Sequence, residues 1–193
     1  PTSLFKKNFP GGEKLQEAVD IASFIIGLDL HKKTTAICIV DPRKPDVPVF
    51  QRKRLVNEEL LSTIGRFAGK KVVACEAAYG WFPLRDALDG MHDVIFVALD
   101  THKTSSWIKA SGIKSDKVDA QVLCHVCLHG GIGCLAVHQP ERHARDCCKL
   151  VHYREQLVLE QTRLKNRLKA LDCDYGVNPY TGEAAEPSEL AAY

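Results

Sequence analysis

The chain has 193 residues, of which 45% are hydrophobic and 26% charged, as expected for one globular domain with an appendage. Its apolar runs, such as Val94–Leu99, are much shorter than the roughly 18 residues that a membrane-spanning helix needs. No secretory leader is recognised, so a soluble cytoplasmic protein with no membrane partner is expected. The eight cysteines, mostly among apolar neighbours, are interpreted as buried thiols rather than as a disulfide framework.

The net charge of +2 is distributed unevenly along the chain. All 26 basic residues but only 19 of the 24 acids precede Asp172, so residues 1–171 carry a charge of +7. A basic body with an acidic tail favours nucleic acid as a partner. A cationic surface that is merely solvated remains the alternative.

The first part of the chain predicts an arm followed by strands. Residues 1–20 mix proline, glycine and charge without periodicity and are expected to form an N-terminal arm. The β-branched runs at 24–31, 34–40 and 47–54 predict three strands in an antiparallel meander.

The next segments alternate between helix and strand. Asn57 is predicted to cap a helix that Gly69 ends. A strand, a helix and another strand follow at 71–77, 81–88 and 93–99. A meander followed by β-α-β crossovers predicts an α/β domain over residues 21–130, with a mixed five-stranded sheet and flanking helices.

The rest of the chain is predicted to be mainly helical. The lysine-rich segment after Thr101 is assigned no element, and 115–130 is predicted to be one helix. A linker (131–139), a long helix (140–172) and an acidic tail or linker (173–193) follow.

The long helix carries a seam with alternating steps of three and four residues. Its members are Cys147, Leu150, Arg154, Leu157, Gln161, Leu164, Leu168 and Leu171. The pattern is typical of a coiled-coil hairpin or dimer contact, and equally of an amphipathic helix lying on its own domain.

Four acids occupy positions where catalytic or metal-binding carboxylates are expected. Asp29 and Glu76 end the first and fourth predicted strands, whereas Asp116 and Asp119 share one face at the start of a helix. Functional crevices of α/β sheets lie beyond the carboxyl ends of parallel strands. Carboxylate oxygens there can hold Mg²⁺ ions for phosphodiester chemistry. The pair Asp116 and Asp119 could instead only complement a helix dipole.

Spaced blocks around these acids resemble a known family. The blocks are GLDLHKKTTAICIVD around Asp29, VVACEAAYGWFPLRDAL around Glu76, KSDKVDAQVL around Asp116 and Asp119, and the downstream YREQLVLEQTRLKNRLKAL. They are similar to the signature blocks of the DEDD transposases, the insertion-sequence 110 family.

This resemblance implies a RuvC-like, ribonuclease-H-type catalytic domain in a bacterial or archaeal protein. It implies that the four acids bind Mg²⁺, for which Mn²⁺ can substitute, and that the protein cleaves and exchanges DNA strands in transposition. It further implies an element-encoded structured RNA as guide. Nothing after Asp172 resembles the second, serine-bearing domain of such proteins, so an N-terminal fragment or a decayed gene is expected.

Two basic groups are candidate nucleic-acid contacts. Lys103, Lys109, Lys114 and Lys117 surround Trp107, which could stack on a base or lie in the core. The long helix contributes Arg163, Lys165, Arg167 and Lys169, and it is also the expected route to a homo-oligomer.

Other interpretations stay open. Cys124 and Cys127 with Cys134 suggest zinc, but one CxxC is weak evidence and buried thiols are favoured. A stand-alone RuvC-like structure-selective nuclease and a non-catalytic nucleic-acid-binding module are the main alternatives. GLDLH also resembles the first phosphate strand of sugar-kinase or actin-like ATPases, whose other motifs are not recognised.

Overall fold

The computed structural model describes most of the chain. The described residues are 12–78, 80–112, 115–129, 131–177 and 183. Residues 1–11 of the predicted arm, Lys114 and most of the predicted tail lie outside them. Gln139 ends one compact unit and Pro140 begins a second.

The first unit is organised around one five-stranded sheet. Its strands are β1 (Phe24–Leu30), β2 (Thr34–Val40), β3 (Pro48–Val56), β4 (Lys71–Glu76) and β5 (Val94–Leu99). Their order across the sheet is β3-β2-β1-β4-β5. The pairs β1–β2 and β2–β3 are antiparallel, whereas β1–β4 and β4–β5 are parallel. The predicted mixed α/β sheet of ribonuclease-H-like type is therefore confirmed.

Helices account for most of the remaining described residues. They are α1 (Gly12–Asp20), α2 (Asn57–Gly65), α3 (Trp81–Leu88), α4 (Thr101–Ala110), α5 (Asp116–His129), α6 (Ile132–Leu135) and α7 (Arg142–Asp174). Within the described ranges, no helix combines the length and the apolar character needed to cross a membrane.

The two faces of the sheet carry separate hydrophobic cores. Successive strand residues point to opposite faces, so Ile25 packs with α1, α5 and α6, while Ile26 packs with α2 and α3. Both isoleucines are fully buried. A helical layer therefore covers each face, and α5 lies on the central strands.

Gly27 allows α5 to approach β1 closely. A Cβ at this position would lie 2.0 Å from the backbone oxygen of Ala120 and 3.0 Å from Sγ of Cys124. Only a residue without a side chain fits this crossing. The start of α5 is thereby fixed over the carboxyl end of β1.

Three predicted loop regions turn out to be helical. Residues 12–20 of the predicted arm form α1, whose Leu15 is buried in the core. The predicted linker 131–139 contains α6, which buries Ile132. Both segments are amphipathic only over one or two turns, so the sequence alone did not distinguish them from loops.

The third region is α4, which occupies much of the lysine-rich segment. Asp100 caps it by accepting hydrogen bonds from the backbone N–H groups of His102 and Lys103 at 2.9 and 3.4 Å. Of its residues only Thr104 is buried, so the segment lacks an apolar stripe that could have predicted it.

The predicted ends of α2 were wrong. Val56, not Asn57, occupies the capping position, and no side chain caps the helix. The Oδ1 of Asn57 instead accepts a hydrogen bond from Oγ1 of Thr35 at 2.8 Å. The helix ends at Gly65, before Gly69.

The second unit contains the 33-residue helix α7. Large apolar side chains of its predicted seam are exposed within this structure. They are Leu150, Leu157, Leu164, Leu168 and Leu171, with exposed fractions of 48–70%.

Candidate metal centre

Two of the predicted acids lie at the same level on neighbouring strands. Leu28 of β1 pairs with Cys75 of β4, so Asp29 and Glu76 are the next residues of two parallel strands. Neighbouring strands are about 4.8 Å apart. The alternation along β1 places Asp29 on the face of Gly27, which is the face that α5 covers.

The other two predicted acids lie in the first turn of α5. Asp116 and Asp119 are one turn apart, and the backbone N–H of Asp119 donates to the carbonyl of Ser115 at 2.9 Å. Because α5 crosses β1 at Gly27, its first turn lies near the end of that strand. The same contact therefore brings acids from a strand and from a helix together.

His31 completes a compact group with two of these acids. Its Nε2 lies 3.4 Å from Oδ2 of Asp29 and 3.8 Å from Oδ2 of Asp116. One ligand atom from each residue lies within 4.8 Å of the others, a spacing that could hold a metal ion. His31 was not among the predicted ligands, because a histidine in a turn is usually just solvated. The signal was its position two residues after Asp29, which favours the same side of an extended chain.

Glu76 is held by a buried hydroxyl group. Oγ1 of Thr104, which is 0% exposed, donates a hydrogen bond to Oε1 of Glu76 at 2.5 Å. The same hydroxyl is 3.1 Å from the carbonyl oxygen of Asp100. Thr104 was missed because α4 was not predicted, so no sequence signal placed it near Glu76.

The acids act on one another electrostatically. Burial raises the pKa of Asp29 above its ordinary value, and the neighbouring His31 lowers it. The negative charges of Asp116, Asp119 and Glu76 raise the pKa of Asp29 further. All four acids are thus close enough to repel, and a cation among them would relieve that repulsion.

A lysine that was not predicted also reaches the group. Nζ of Lys53, on β3, lies 3.8 Å from Oδ2 of Asp116, and its side chain is half exposed. It belongs to an exposed basic stretch, Arg52 to Arg54, along the edge strand of the sheet. From its sequence this stretch was predicted only as part of a strand.

The predicted nucleic-acid contacts are distributed over both units. Lys103 and Lys109 are exposed on α4, and Lys117 is exposed on α5. Nζ of Lys103 donates to the carbonyl of Cys134 at 2.8 Å. Trp107 is 40% exposed, which excludes the core interpretation. On α7 the candidate residues are Arg163, Lys165, Arg167 and Lys169, of which the first three are exposed and the last is partly buried.

The cysteines of α5 behave as core thiols. Cys124 and Cys127 are fully buried, whereas Cys134 is exposed. Sγ of Cys124 donates to the carbonyl of Cys38 at 3.4 Å, and burial raises the pKa of Cys127 to about 12. Both thiols are part of the hydrophobic core on the α5 side of the sheet, as the sequence favoured.

The fold and the site together define a ribonuclease-H-like domain with an acidic centre at the carboxyl ends of its central strands. The family model of the IS110-type DEDD transposases, described as "Transposase", matches residues 26–171. The chain belongs to this family. Its function is that of a transposase or recombinase, DNA is its partner, and the family generally uses a divalent metal. None of the curated proteins matches the chain.

Proposed function

We propose that this chain catalyses Mg²⁺-dependent cleavage and transfer of DNA strands during transposition of an insertion sequence. In this proposal Asp29, Glu76, Asp116 and Asp119 hold the metal ions. The observation that carries it is the meeting of strand-end and helix acids around Asp29.

The donor chemistry fits a hard divalent cation. Carboxylate oxygens are the ligands that Mg²⁺ and Mn²⁺ prefer, and the side chain of Asp116 is 38% exposed, which leaves room for substrate. A bound divalent cation would polarise a phosphate oxygen and activate a water or hydroxyl nucleophile.

The protein residues around the acids have complementary tasks. Thr104 holds the carboxylate of Glu76 in one orientation through its hydrogen bond to Oε1. Lys53 lies beside Asp116 on an exposed strand, where an ammonium group can contact a phosphate of the DNA.

Two partners besides DNA are included in the proposal. An element-encoded structured RNA would guide the reaction, which the basic charge of residues 1–171 supports. A second copy of the chain would pair through α7, whose exposed leucines follow a coiled-coil seam.

The catalytic proposal is tested with Asp119→Asn and Asp29→Asn, assayed on supercoiled plasmid and on a four-way DNA junction with Mg²⁺. We expect both variants to lose metal-dependent cleavage, because an amide supplies less charge to the cation. Binding of DNA should change little, since basic side chains make the phosphate contacts. Asp89→Asn, at an exposed residue after α3, is the matched control.

Other results would favour the alternatives. Junction cutting without strand joining would favour a stand-alone structure-selective nuclease. DNA binding without cleavage, unchanged by either substitution, would favour a non-catalytic module. Wild-type turnover by Asp119→Asn would mean that this acid only favours the helix dipole, an effect of at most about 1 kcal/mol.

Pairing through α7 is tested by sedimentation. The double substitution Leu157→Lys and Leu164→Lys places charges in the seam and should convert a dimer into a monomer. Asn166→Lys adds a lysine outside the seam and should leave the dimer intact. A wild-type chain that sediments as a monomer at micromolar concentration would contradict this part of the proposal.

A further inference from the structure

His31 occupies a turn whose backbone is fixed on both sides. Its N–H donates to the carbonyl of Thr34 at 3.0 Å, and its own carbonyl accepts from Nδ2 of Asn57 at 3.4 Å. Asn57 is in turn held by the hydroxyl of the buried Thr35. The imidazole is therefore presented at the acidic centre from an anchored hairpin turn, although it is 47% exposed.

The imidazole nitrogen lies close enough to two carboxylates to share a metal ion with them. Its distances to carboxylate oxygens of Asp29 and Asp116 are 3.4 and 3.8 Å. Ligand atoms at about 2.1 Å from an octahedral ion lie about 3 Å apart when adjacent and about 4.2 Å apart when opposite. The two observed distances fall between these limits, so one ion can contact all three side chains after small movements.

We infer that His31 is a metal ligand of this centre, donating through Nε2 to the same ion as Asp29 and Asp116. This inference rests on the proposed function, which assigns the metal to the four acids alone. The added nitrogen ligand changes which metal ion the site prefers. Imidazole binds transition ions more strongly than Mg²⁺, whereas carboxylates serve both. The site consequently prefers Mn²⁺ to Mg²⁺ by more than a purely carboxylate site would.

The contrasting role for His31 is that of a cation that balances the acids. The ammonium group of Lys53 also lies 3.8 Å from Asp116, and it would remain in a variant without His31. A balancing imidazolium would compete with the metal, so its removal would strengthen metal binding. A ligand would have the opposite effect, and the two roles are therefore separable by experiment.

The first measurement uses the unmodified 193-residue chain with less than one equivalent of Mn²⁺ at pH 8. Pulsed electron paramagnetic resonance detects a nitrogen nucleus bonded directly to Mn²⁺. We expect ¹⁴N modulation that changes to the ¹⁵N pattern when only histidine is labelled with ¹⁵N. Mn²⁺ that binds without nitrogen coupling would overturn the inference and leave the carboxylate site intact.

The second measurement compares metal affinities by calorimetry. His31→Ala should weaken Mn²⁺ binding about tenfold or more and Mg²⁺ binding much less, so the ratio of the two affinities should fall. His92→Ala, in the exposed turn before β5 at the other end of the sheet, is the control and should match the wild type. An unchanged ratio, or tighter Mn²⁺ binding, would contradict the inference.

The outcome also separates this inference from the proposed function. Asp29→Asn should weaken the binding of both ions, because its carboxylate serves either metal. If wild-type chain binds neither ion, the proposed metal centre fails and His31 has no role in it. If Asp29→Asn weakens binding but His31→Ala does not, only the inference about His31 fails.

Discussion

At the scale of single residues, Asp29 is the acid that interacts electrostatically with His31 and with the three other acids of the centre. It is partly buried and faces three other acids, and Nε2 of His31 lies 3.4 Å from its Oδ2. Its ionised form therefore destabilises the metal-free fold. The same repulsion favours metal binding, because a cation replaces it with attraction.

We predict that Asp29→Asn stabilises the metal-free protein at pH 7. The folded-state pKa of Asp29 is raised above its unfolded value of 3.8, so the folded state binds more protons between these two values. Stability is then lost as pH rises from 3.8 through the raised folded-state pKa, so above that window the ionised carboxylate of Asp29 lowers the free energy of unfolding. Removing the charge should raise the Tm by a few degrees, since about 1 kcal/mol shifts the Tm of such a domain by about 2–4 °C.

Thermal unfolding followed by circular dichroism checks this expectation. The gain in Tm should shrink as pH falls toward the ordinary aspartate range. Asp29 of the wild type is then increasingly protonated, and therefore neutral like the asparagine of the variant. Saturating Mn²⁺ should raise the Tm of the wild type more than that of the variant. A variant less stable than wild type at pH 7 without metal would contradict the electrostatic account.

At the scale of secondary-structure elements, the crossing of α5 and β1 sets the geometry of the site. Gly27 lies two residues before Asp29, and Ala120 lies one residue after Asp119. The close contact between them therefore fixes both halves of the acidic centre at once. A change in this contact should affect stability and metal binding together.

Gly27→Ala tests this coupling. The new Cβ would lie 2.0 Å from the oxygen of Ala120, so α5 must move away. We expect a loss of about 1–3 kcal/mol in the free energy of unfolding, as for other overpacked sites. Mn²⁺ affinity should also fall, because Asp116 and Asp119 move with the helix.

Gly90→Ala is the matched control, since a Cβ there meets no atom within 4 Å and its φ is not positive. It should leave both denaturant unfolding and metal titration near the wild-type values. Full metal affinity in a destabilised Gly27→Ala protein would show that the crossing supports the fold alone.

The elements that the sequence predicted well are those with strong local patterns. Each strand is a β-branched run bounded by turn residues, and the bounds of β2 and α3 match their predictions. The helix α1 instead depends on tertiary contact, since Gly12 lies against Gly133 of α6. Contacts of that kind have no local signature.

The part of the acidic centre that depends on local sequence patterns could also be predicted. Strand ends and helix starts predicted Asp29, Glu76, Asp116 and Asp119 as one group, and their role as metal ligands stays a prediction. Among the described residues, the compact ligand group contains Asp29 and Asp116 with His31. Thr104 and Lys53 come from elements whose position near the acids depends on how the chain folds back. Single residues in such elements carry no sequence signal of their own.

At the scale of the whole molecule, the charge is separated along the chain. The basic residues precede Asp172, and those of α7 include Arg163 and Arg167, which are one turn apart and exposed. Side chains at this spacing can contact successive phosphates of one strand. We propose that Arg163 and Arg167 make such contacts. Their contribution can be measured from the dependence of DNA affinity on salt concentration.

We predict that Arg163→Gln with Arg167→Gln weakens the salt dependence of DNA binding. Each phosphate contact contributes about 0.9 to the slope of log affinity against log salt for duplex DNA, so losing two contacts should reduce the slope by about 1.8. Fluorescence anisotropy with a labelled duplex between about 50 and 200 mM salt measures this slope. Affinity at low salt should fall as well, similarly for different DNA sequences.

The matched control is Arg43→Gln with Lys44→Gln. These residues are exposed in the loop between β2 and β3, and their replacement changes the net charge by the same amount. The control should keep the wild-type slope if α7 makes direct phosphate contacts. Equal slopes in both double variants, each below the wild type, would mean that DNA responds only to overall charge. An unchanged slope in both would mean that Arg163 and Arg167 only solvate the helix.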